Sequence, residues 1–536
     1  MGIDVRGVDT YSLRRILGFG EGRSLMSKKL VRILALIFAL SLVISLTGSL
    51  GARDPRALER SVPRSGVSLR ALPAEIRRTS SSASLWARNY TRFMGSLQAG
   101  YVEADNCTSV QPGAGGGIVV AGRASSFKPG TDVGLDWRPF IVELDSSGDV
   151  AWMVLFQGDP SKKGRDEVSS LIKTRDGGYL VAGTLGTADP AEYHALVMKL
   201  EEVAPAPRQN NDPYHHYYYG GFVSWAKTLG FGSRVSGEYE RANAMAETQD
   251  GGFVIAGSSS IAGSWIIKLD PLGNPLWQEA LVSGFGIYSV AATEDGGFVI
   301  AGQSSGYLIV IKFGAAGGIQ WQRSYAWVDP AAKCGEFSIV SAACSAAPGG
   351  GSILSGYTEY GPSVCHDSSE CGWACKLDQS GKLLWQKGFN SFYCYDQFGT
   401  PDGGAMVVSD HVAIKLSSDG AKQWQKSYQD IFLTCGYQVD DGGYVLGGQY
   451  WLPDPTFQDR IAVVRLDPAG NIGPDCSAVT GINVTERKGA LTAVSLSPLS
   501  ISYPTIWMKI LENNSQARPC QIQMICGQDL SLRQRR

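Results

Sequence analysis

Charge is scarce in this chain, and histidine scarcer. Of 536 residues, 18% are charged and five are histidine, with a net charge of −2. Nucleic-acid binding needs a basic surplus, so the composition excludes it, and with it electrostatic adhesion to an anionic membrane. No Gly-x-Ser-x-Gly elbow, His-Glu-x-x-His or phosphate-binding glycine loop occurs, which removes the common hydrolase, metalloprotease and nucleotide signatures. Stretches with a clean 3.6-residue apolar period are missing from the body of the chain, so long helices are not expected there.

What the chain has in quantity is glycine, 66 residues, and a sentence that repeats. Asp250 to Gln278 reads as apolar strands at Phe253–Ala256 and Trp265–Leu269, then a third run through Trp277. The turns between them are Asp250-Gly251-Gly252 and Asp270-Pro271-Leu272-Gly273-Asn274. The first turn recurs at Gly115, Asp176, Asp250, Asp295, Gly349, Asp402 and Asp441, seven copies spaced 39 to 74 residues apart. Each copy is followed by a run such as FIVELD, ALVMKL, WIIKLD or IAVVRLD, and six lead to a tryptophan: Trp152, Trp225, Trp277, Trp321, Trp385 and Trp424. The seventh copy has no tryptophan, while an orphan strand carrying Trp86 precedes the first. Seven halves and seven partners balance only if the chain ends meet. The expected fold is therefore all-β, a seven-bladed β-propeller closed by an N-terminal strand that completes the last blade. Around Asp250 the four strands fall near Arg241–Thr248, Phe253–Ala256, Trp265–Leu269 and Pro275–Ala280, with the tryptophans plugging the outer gaps between blades.

The tract resembles an uncharacterised family of secreted bacterial and archaeal β-propeller repeats, DGG-[FY]-[IV]-[IV]-AG followed by KLD-x-x-G-N-x-x-W, over roughly residues 85–475. The spacing Asp145…Gly148…Trp152, repeated at Asp270…Gly273…Trp277 and Asp378…Gly381…Trp385, is distantly similar to the tryptophan-docking motif of quinoprotein propellers. That family usually has eight blades and one more residue between aspartate and tryptophan, and this chain departs on both counts.

The remaining segments fall outside the repeat. Residues 1–52 read as an N-terminal extension and a signal peptide or signal anchor. Lys28, Lys29 and Arg32 precede an apolar stretch, and Met26 is an alternative start. Residues 53–84 read as a flexible linker, 85–475 as the propeller, and 476–536 as a small β-rich C-terminal appendage or strands that cover the ring. The protein is expected to be exported, extracellular or in the cell envelope, and to touch a membrane only through an uncleaved segment at 30–50.

Site expectations follow from the scaffold. The DGG and D-x-x-G-N turns share one rim and are uniform. Variable loops at Arg123–Asp136, Thr358–Gly372 and Gln449–Asp459 share the other, so Trp137, Tyr360, His366 and Trp451 are the candidate ligand contacts there. The insertion at 201–221, with Tyr214-His215-His216-Tyr217, projects from the opposite rim and reads as an exposed loop. His194, His366 and His411 are scattered over three blades. Asp270 and Asp378 read as turn caps rather than calcium ligands. No catalytic residue, metal or cofactor is expected. In an exported protein the eleven cysteines default to disulfides, with Cys365, Cys371, Cys375, Cys520 and Cys526 as the candidates. The functional expectation is a non-enzymatic binding scaffold for a protein, surface polymer or glycan. The alternatives are a quinone-dependent or carbohydrate-active propeller enzyme, and a purely structural envelope protein.

Overall fold

The computed structural model describes residues 85–91, 102–127, 136–156, 166–186, 193–201, 223–231, 239–260, 263–282, 284–328, 337–360, 371–390, 393–451, 459–473, 479–481, 486–487, 490–494, 500–502, 506–510, 515–516 and 521–527. They form a seven-bladed β-propeller with no α-helix among the described residues. Blade I begins at Val102–Pro112, blade II at Glu167–Lys173, blade III at Glu240–Glu247, blade IV at Phe285–Ala292, blade V at Phe337–Ala347, blade VI at Asp396–Gly399 and blade VII at Ile431–Gln438. These first strands touch one another in sequence, and the first strand of blade VII touches that of blade I, so they make a closed inner ring.

Blade III shows the unit. Glu240–Glu247, Phe253–Ser259, Gly263–Leu269 and Pro275–Val282 pair antiparallel in chain order. Val254, Ala256 and Ile266 pack toward blade IV, and Phe253, Ile255 and Ile267 toward blade II, so alternation along each strand feeds two different inter-blade cores. Blade VII takes its fourth strand from the other end of the chain. Trp86–Thr91 pairs antiparallel with Asp459–Leu466, Trp86 opposite Arg465 and Tyr90 opposite Ile461.

The repeat's turn residues have separate jobs. In the DGG turn of blade III, Gly251 holds φ at +77°, where a Cβ would clash. Gly252 lets the Leu269 carbonyl and the Lys268 ammonium approach to 2.4 Å of where its Cβ would stand. That lysine is 3% exposed and reaches the turn aspartate, Lys268 Nζ to Asp250 Oδ1, at 2.8 Å. The same lock joins Lys199 to Asp176, Lys312 to Asp295, Lys415 to Asp402 and Arg465 to Asp441. Blades I and V have glycine in place of the aspartate, and the strand residue is re-employed. Glu143 accepts from the Ala114 amide and the Trp152 indole, while Lys376 donates to the Gly403 carbonyl of the next blade.

The turns that lead into the fourth strands join the blades, D-x-x-G in most, with Gly314 and Ser417 in the aspartate's place in blades IV and VI. Each turn glycine has positive φ and lies under the tryptophan of the preceding blade: Gly273 under Trp225, Gly317 under Trp277, Gly381 under Trp321, Gly420 under Trp385 and Gly470 under Trp424. The indole N–H donates to a turn carbonyl at three of these joints, as from Trp321 to Gln379 at 2.8 Å. Trp86, on the last blade, lies on Gly148 of the first in the same way, and Arg88 beside it pairs with Asp149 at 2.6 Å. The turn carboxylates cap backbone. Asp270 accepts from the Asn274 amide and Asp378 from the Ser380 and Lys382 amides.

Beyond the seventh blade, the chain adds a fifth strand to every sheet in reverse order. Val479–Gly481 pairs with blade VI, Glu486–Arg487 with V, Ala490–Val494 with IV, Ser500–Ser502 with III, Ile506–Ile510 with II, Ser515–Gln516 with I and Gln521–Gly527 with VII. An unpaired outer strand is a template for another chain, and this belt covers all seven edges. Truncation after residue 475 is therefore expected to leave a folded ring that self-associates. Size-exclusion chromatography with light scattering should show dimers and larger species where the full chain is monodisperse. A truncated chain that stays monomeric would contradict a capping role.

Cys375 requires a correction. It is a buried free thiol in the core between blades IV and V. Cys371 is four residues away on the same strand, Cys371–Leu377, about 13 Å along an extended chain. A disulfide between them is excluded, because bridged Cα atoms lie within about 7 Å. Cys365 and Cys520 lie outside the described residues, as do the side chains of Cys371 and Cys526.

Candidate functional site

In every blade the first strand runs from the rim of blade-to-blade connections toward the DGG rim, so its opening residues surround the mouth of the inner ring. In six blades that strand carries a β-bulge, at Thr108, Ser169, Asn243, Tyr288, Val340 and Thr434. A bulge adds one residue to a strand and re-aims a side chain, which is why bulges favour rims and sites. Here the repeat makes a ring of re-aimed positions whose residues differ from blade to blade.

Two of them, Asn243 and Tyr288, line a concavity of about 470 Å³ with Tyr239, Arg241, Ser258 and Ile287, across blades III and IV. Its walls are held from below. Asn243 donates to the Ile287 carbonyl at 3.1 Å and to the Ser258 hydroxyl at 3.4 Å. Tyr239 and Ser260 exchange hydrogen bonds of 3.1 and 3.0 Å. Tyr239 and Tyr288 are 45% and 38% exposed, unusual for tyrosine on a sheet this well packed. Partial burial pushes the Tyr288 phenol up, against a hydrogen bond from Gln303 that lowers it, so it is a neutral hydroxyl at physiological pH. The Arg241 guanidinium lies 6.0 Å from the Tyr239 ring centre.

An ion-pair chain continues from this hollow. Arg241 lies 3.7 Å from one Glu167 oxygen, and Arg123 of blade I lies 3.4 Å from the other. His194 comes within 3.5 Å of the Glu240 carboxylate beside it.

Across the mouth, blades V to VII contribute rings. Tyr357 meets Tyr393 edge-on at 4.9 Å, Tyr393 stacks with Tyr395 at 5.9 Å, and Tyr395 tilts against Phe432 at 5.1 Å. His411 stands edge-on to Phe432, and its Nδ1–H donates to the Ile431 carbonyl at 2.8 Å. Burial raises the neighbouring Asp410 carboxyl, while His411 and Tyr395 draw it down. Burial also pushes Asp396 up to about 7, against the Gln397 and Gly436 amides. Among the described residues no three His, Cys, Asp or Glu side chains group as a metal would need.

Of the contacts expected from sequence, Trp137, Tyr360 and Trp451 lie at strand ends on this rim, paired with Ser125, Phe337 and Asp459. Their side chains, and His366 altogether, lie outside the described residues, as does the 201–221 insertion beyond Glu201. Sequence reasoning missed Tyr239, Arg241, Asn243 and Tyr288. The available signal was the contrast among repeats at the bulge, where Asn243 and Tyr288 stand against Thr108, Ser169 and Thr434.

No protein-family model matches the chain, and no curated protein does. Solved structures give distant propeller likenesses. Virginiamycin B lyase from Staphylococcus aureus shares 12% identity over 71% of this chain and 99% of its own, with a TM-score of 0.38. The Dos1 propeller shares 8% over 68% and 92%, with a TM-score of 0.40. Polysaccharide lyase Uly1 shares 9% over 71% and 92%, with a TM-score of 0.38. They are similar in architecture, and the chain is a β-propeller whose site must be argued from its own residues.

Proposed function

We propose that this protein is an exported, non-enzymatic binding propeller that holds a surface glycan at the mouth of the ring, on the rim of blade-to-blade connections. The observation that carries the proposal is the hollow formed by Tyr239, Arg241, Asn243, Ser258, Ile287 and Tyr288. Exposed tyrosine rings offer faces for the apolar side of a sugar, and the guanidinium, amide and hydroxyl offer the directional contacts a polyol needs. A rigid ring presenting non-uniform residues at equivalent positions is the arrangement in which binding sites are usually grafted on a repeat scaffold. Trp137, Tyr360 and Trp451 stand at strand ends of the same rim, where a longer polymer would run.

The test is titration of purified bacterial surface polysaccharides against the wild type, Arg241→Ala and Tyr288→Ala by calorimetry. Each replacement is expected to weaken binding about tenfold or more, roughly 1.4 kcal/mol, with unchanged thermal unfolding. Binding that survives both replacements would remove the site. Failure of every polysaccharide, with capture of a protein partner abolished by the same variants, would retain the site and replace the glycan with a protein.

Asp396 favours a second reading. A carboxyl held near neutrality at the inner ring has the pKa of a general acid or base, which a carbohydrate-active enzyme would use. Loss of polysaccharide cleavage on Asp396→Asn would establish it.

A further inference from the structure

Cys107 and Cys435 are 328 residues apart in sequence, and their Sγ atoms are 3.7 Å apart in the fold. Cys107 belongs to the first strand of blade I and Cys435 to the first strand of blade VII, so they face each other across the joint where the ring closes. Both are buried free thiols. The surrounding repeat is altered to fit them. Gly447, opposite Cys435, stands where the other blades carry Ala121, Ala182, Ala256, Ala301, Ser355 and Val408. A Cβ there would lie 2.9 Å from each sulfur and 2.6 Å from Val110 Cγ1. Glycine occurs at this repeat position only where two sulfurs need the space. Beside the pair, the Thr434 hydroxyl donates to the Cys107 carbonyl at 2.8 Å, fixing the two strands' separation.

From this geometry we infer that Cys107 and Cys435 are a covalent modification site, a disulfide that clasps the first blade to the last. A sulfur–sulfur bond of about 2.05 Å needs a short further approach, which side-chain rotation supplies. The oxidant is a small organic disulfide of the glutathione class. One cysteine thiolate attacks it, forming a mixed disulfide and releasing one small thiolate. The second cysteine thiolate then attacks the protein sulfur of that mixed disulfide, forming the Cys107–Cys435 bond and releasing the second small thiol. Two protein thiols lose two electrons and two protons, and one small disulfide becomes two thiols.

The bond forms as the ring closes during folding. In the closed ring the sulfurs are out of reach of solvent, and the Cys107 thiol together with burial pushes the Cys435 thiol well above its usual range, leaving little nucleophile. The loop it closes is long, and in the chain-entropy account longer loops gain most from a cross-link.

The full chain, refolded in a buffer of reduced and oxidised glutathione, tests the inference. Peptide mapping under non-reducing conditions should show the Cys107 and Cys435 peptides joined. Breaking that bond with reductant should lower the unfolding midpoint by about 5 °C or more. Cys107→Ser and Cys435→Ala should each abolish that share of the reductant sensitivity. The mapping needs no variant, so it reads out even where a substitution prevents folding. Alkylation of both thiols in the refolded protein, or their pairing with other cysteines instead, would overturn the clasp, as would unchanged reductant sensitivity in either variant.

Discussion

A chain that begins at residue 92 is expected not to fold, whereas one that begins at residue 84 is expected to unfold at the same temperature as the full-length protein. The six residues Trp86–Thr91 account for the difference. Trp86 is 1% exposed, belongs to the hydrophobic core between blades VII and I, and lies against the Gly148 turn. A tryptophan buries on the order of 200 Å², about 5 kcal/mol at 25 cal/mol per Å², before the lost ladder is counted. Removing the strand also separates two edges that no other strand among the described residues joins, Asp459–Leu466 and Gln521–Gly527. Circular dichroism and thermal scans of the two truncations measure this. Trp86→Ala alone is expected to cost about 3–5 kcal/mol. Equal stability of the two truncations would mean that blade VII stands without its N-terminal strand.

Replacement of Asp250 by asparagine is expected to cost about 2 kcal/mol at pH 7, below the range for a fully buried pair because the carboxylate is half exposed. Lys268 would remain charged at 3% exposure with no counter-ion. Burial opposes ionisation of Asp250, but Lys268, the Thr248 hydroxyl and the Gly252 amide outweigh it and hold the carboxyl at about 2. Burial likewise opposes, and the equivalent lysine, threonine and glycine amide of each blade lower, Asp176, Asp295 and Asp402. A depressed folded-state value stabilises above the unfolded value, near 3.9, and that contribution disappears as pH falls toward 2. Four such locks titrating together should make acid unfolding steep between about pH 4 and pH 2. Urea midpoints at pH 7 and pH 2.5 separate the causes: the Asp250→Asn penalty should be fully present at the first and cut to about a third at the second. The same penalty at both would attribute it to packing. In the double variant Asp250→Asn with Lys268→Met, much of the loss should be recovered, since no buried charge is then stranded.

These locks show why the fold could be read from sequence. The pattern D-G-G…K-L-D compresses three local requirements into fixed spacing: positive φ at Gly251, no side chain at the crowded Gly252, and a lysine one strand away. Strand positions followed, with Phe253–Ala256 extending to Ser259 and Trp265–Leu269 beginning at Gly263. The site was less legible because its signal is a departure from the repeat rather than the repeat itself. Asn243 and Tyr288 matter for being bulged, and their contrast with the other repeats shows only once the repeats are aligned at the bulge. Loop length drew attention to Trp137, Tyr360, His366 and Trp451 on the rim, but could not locate the hollow beside Arg241. Cysteine pairing was illegible for a different reason. Nearness in sequence suggested a pair among Cys365, Cys371 and Cys375, of which one strand holds the last two apart, while ring closure brings Cys107 to Cys435. The outer belt is similar: its strands could be recognised near Ile501 and Ile506, but the blades they join depend on the whole ring.

The measurement that bears most directly on the proposed function is amide hydrogen exchange with and without a polysaccharide that binds. The account expects slowed exchange at residues 239–243, 257–260 and 285–289, and unchanged exchange in the turns at 250–252, 270–274 and 295–297. Protection confined to those turns, on the opposite rim, would contradict it.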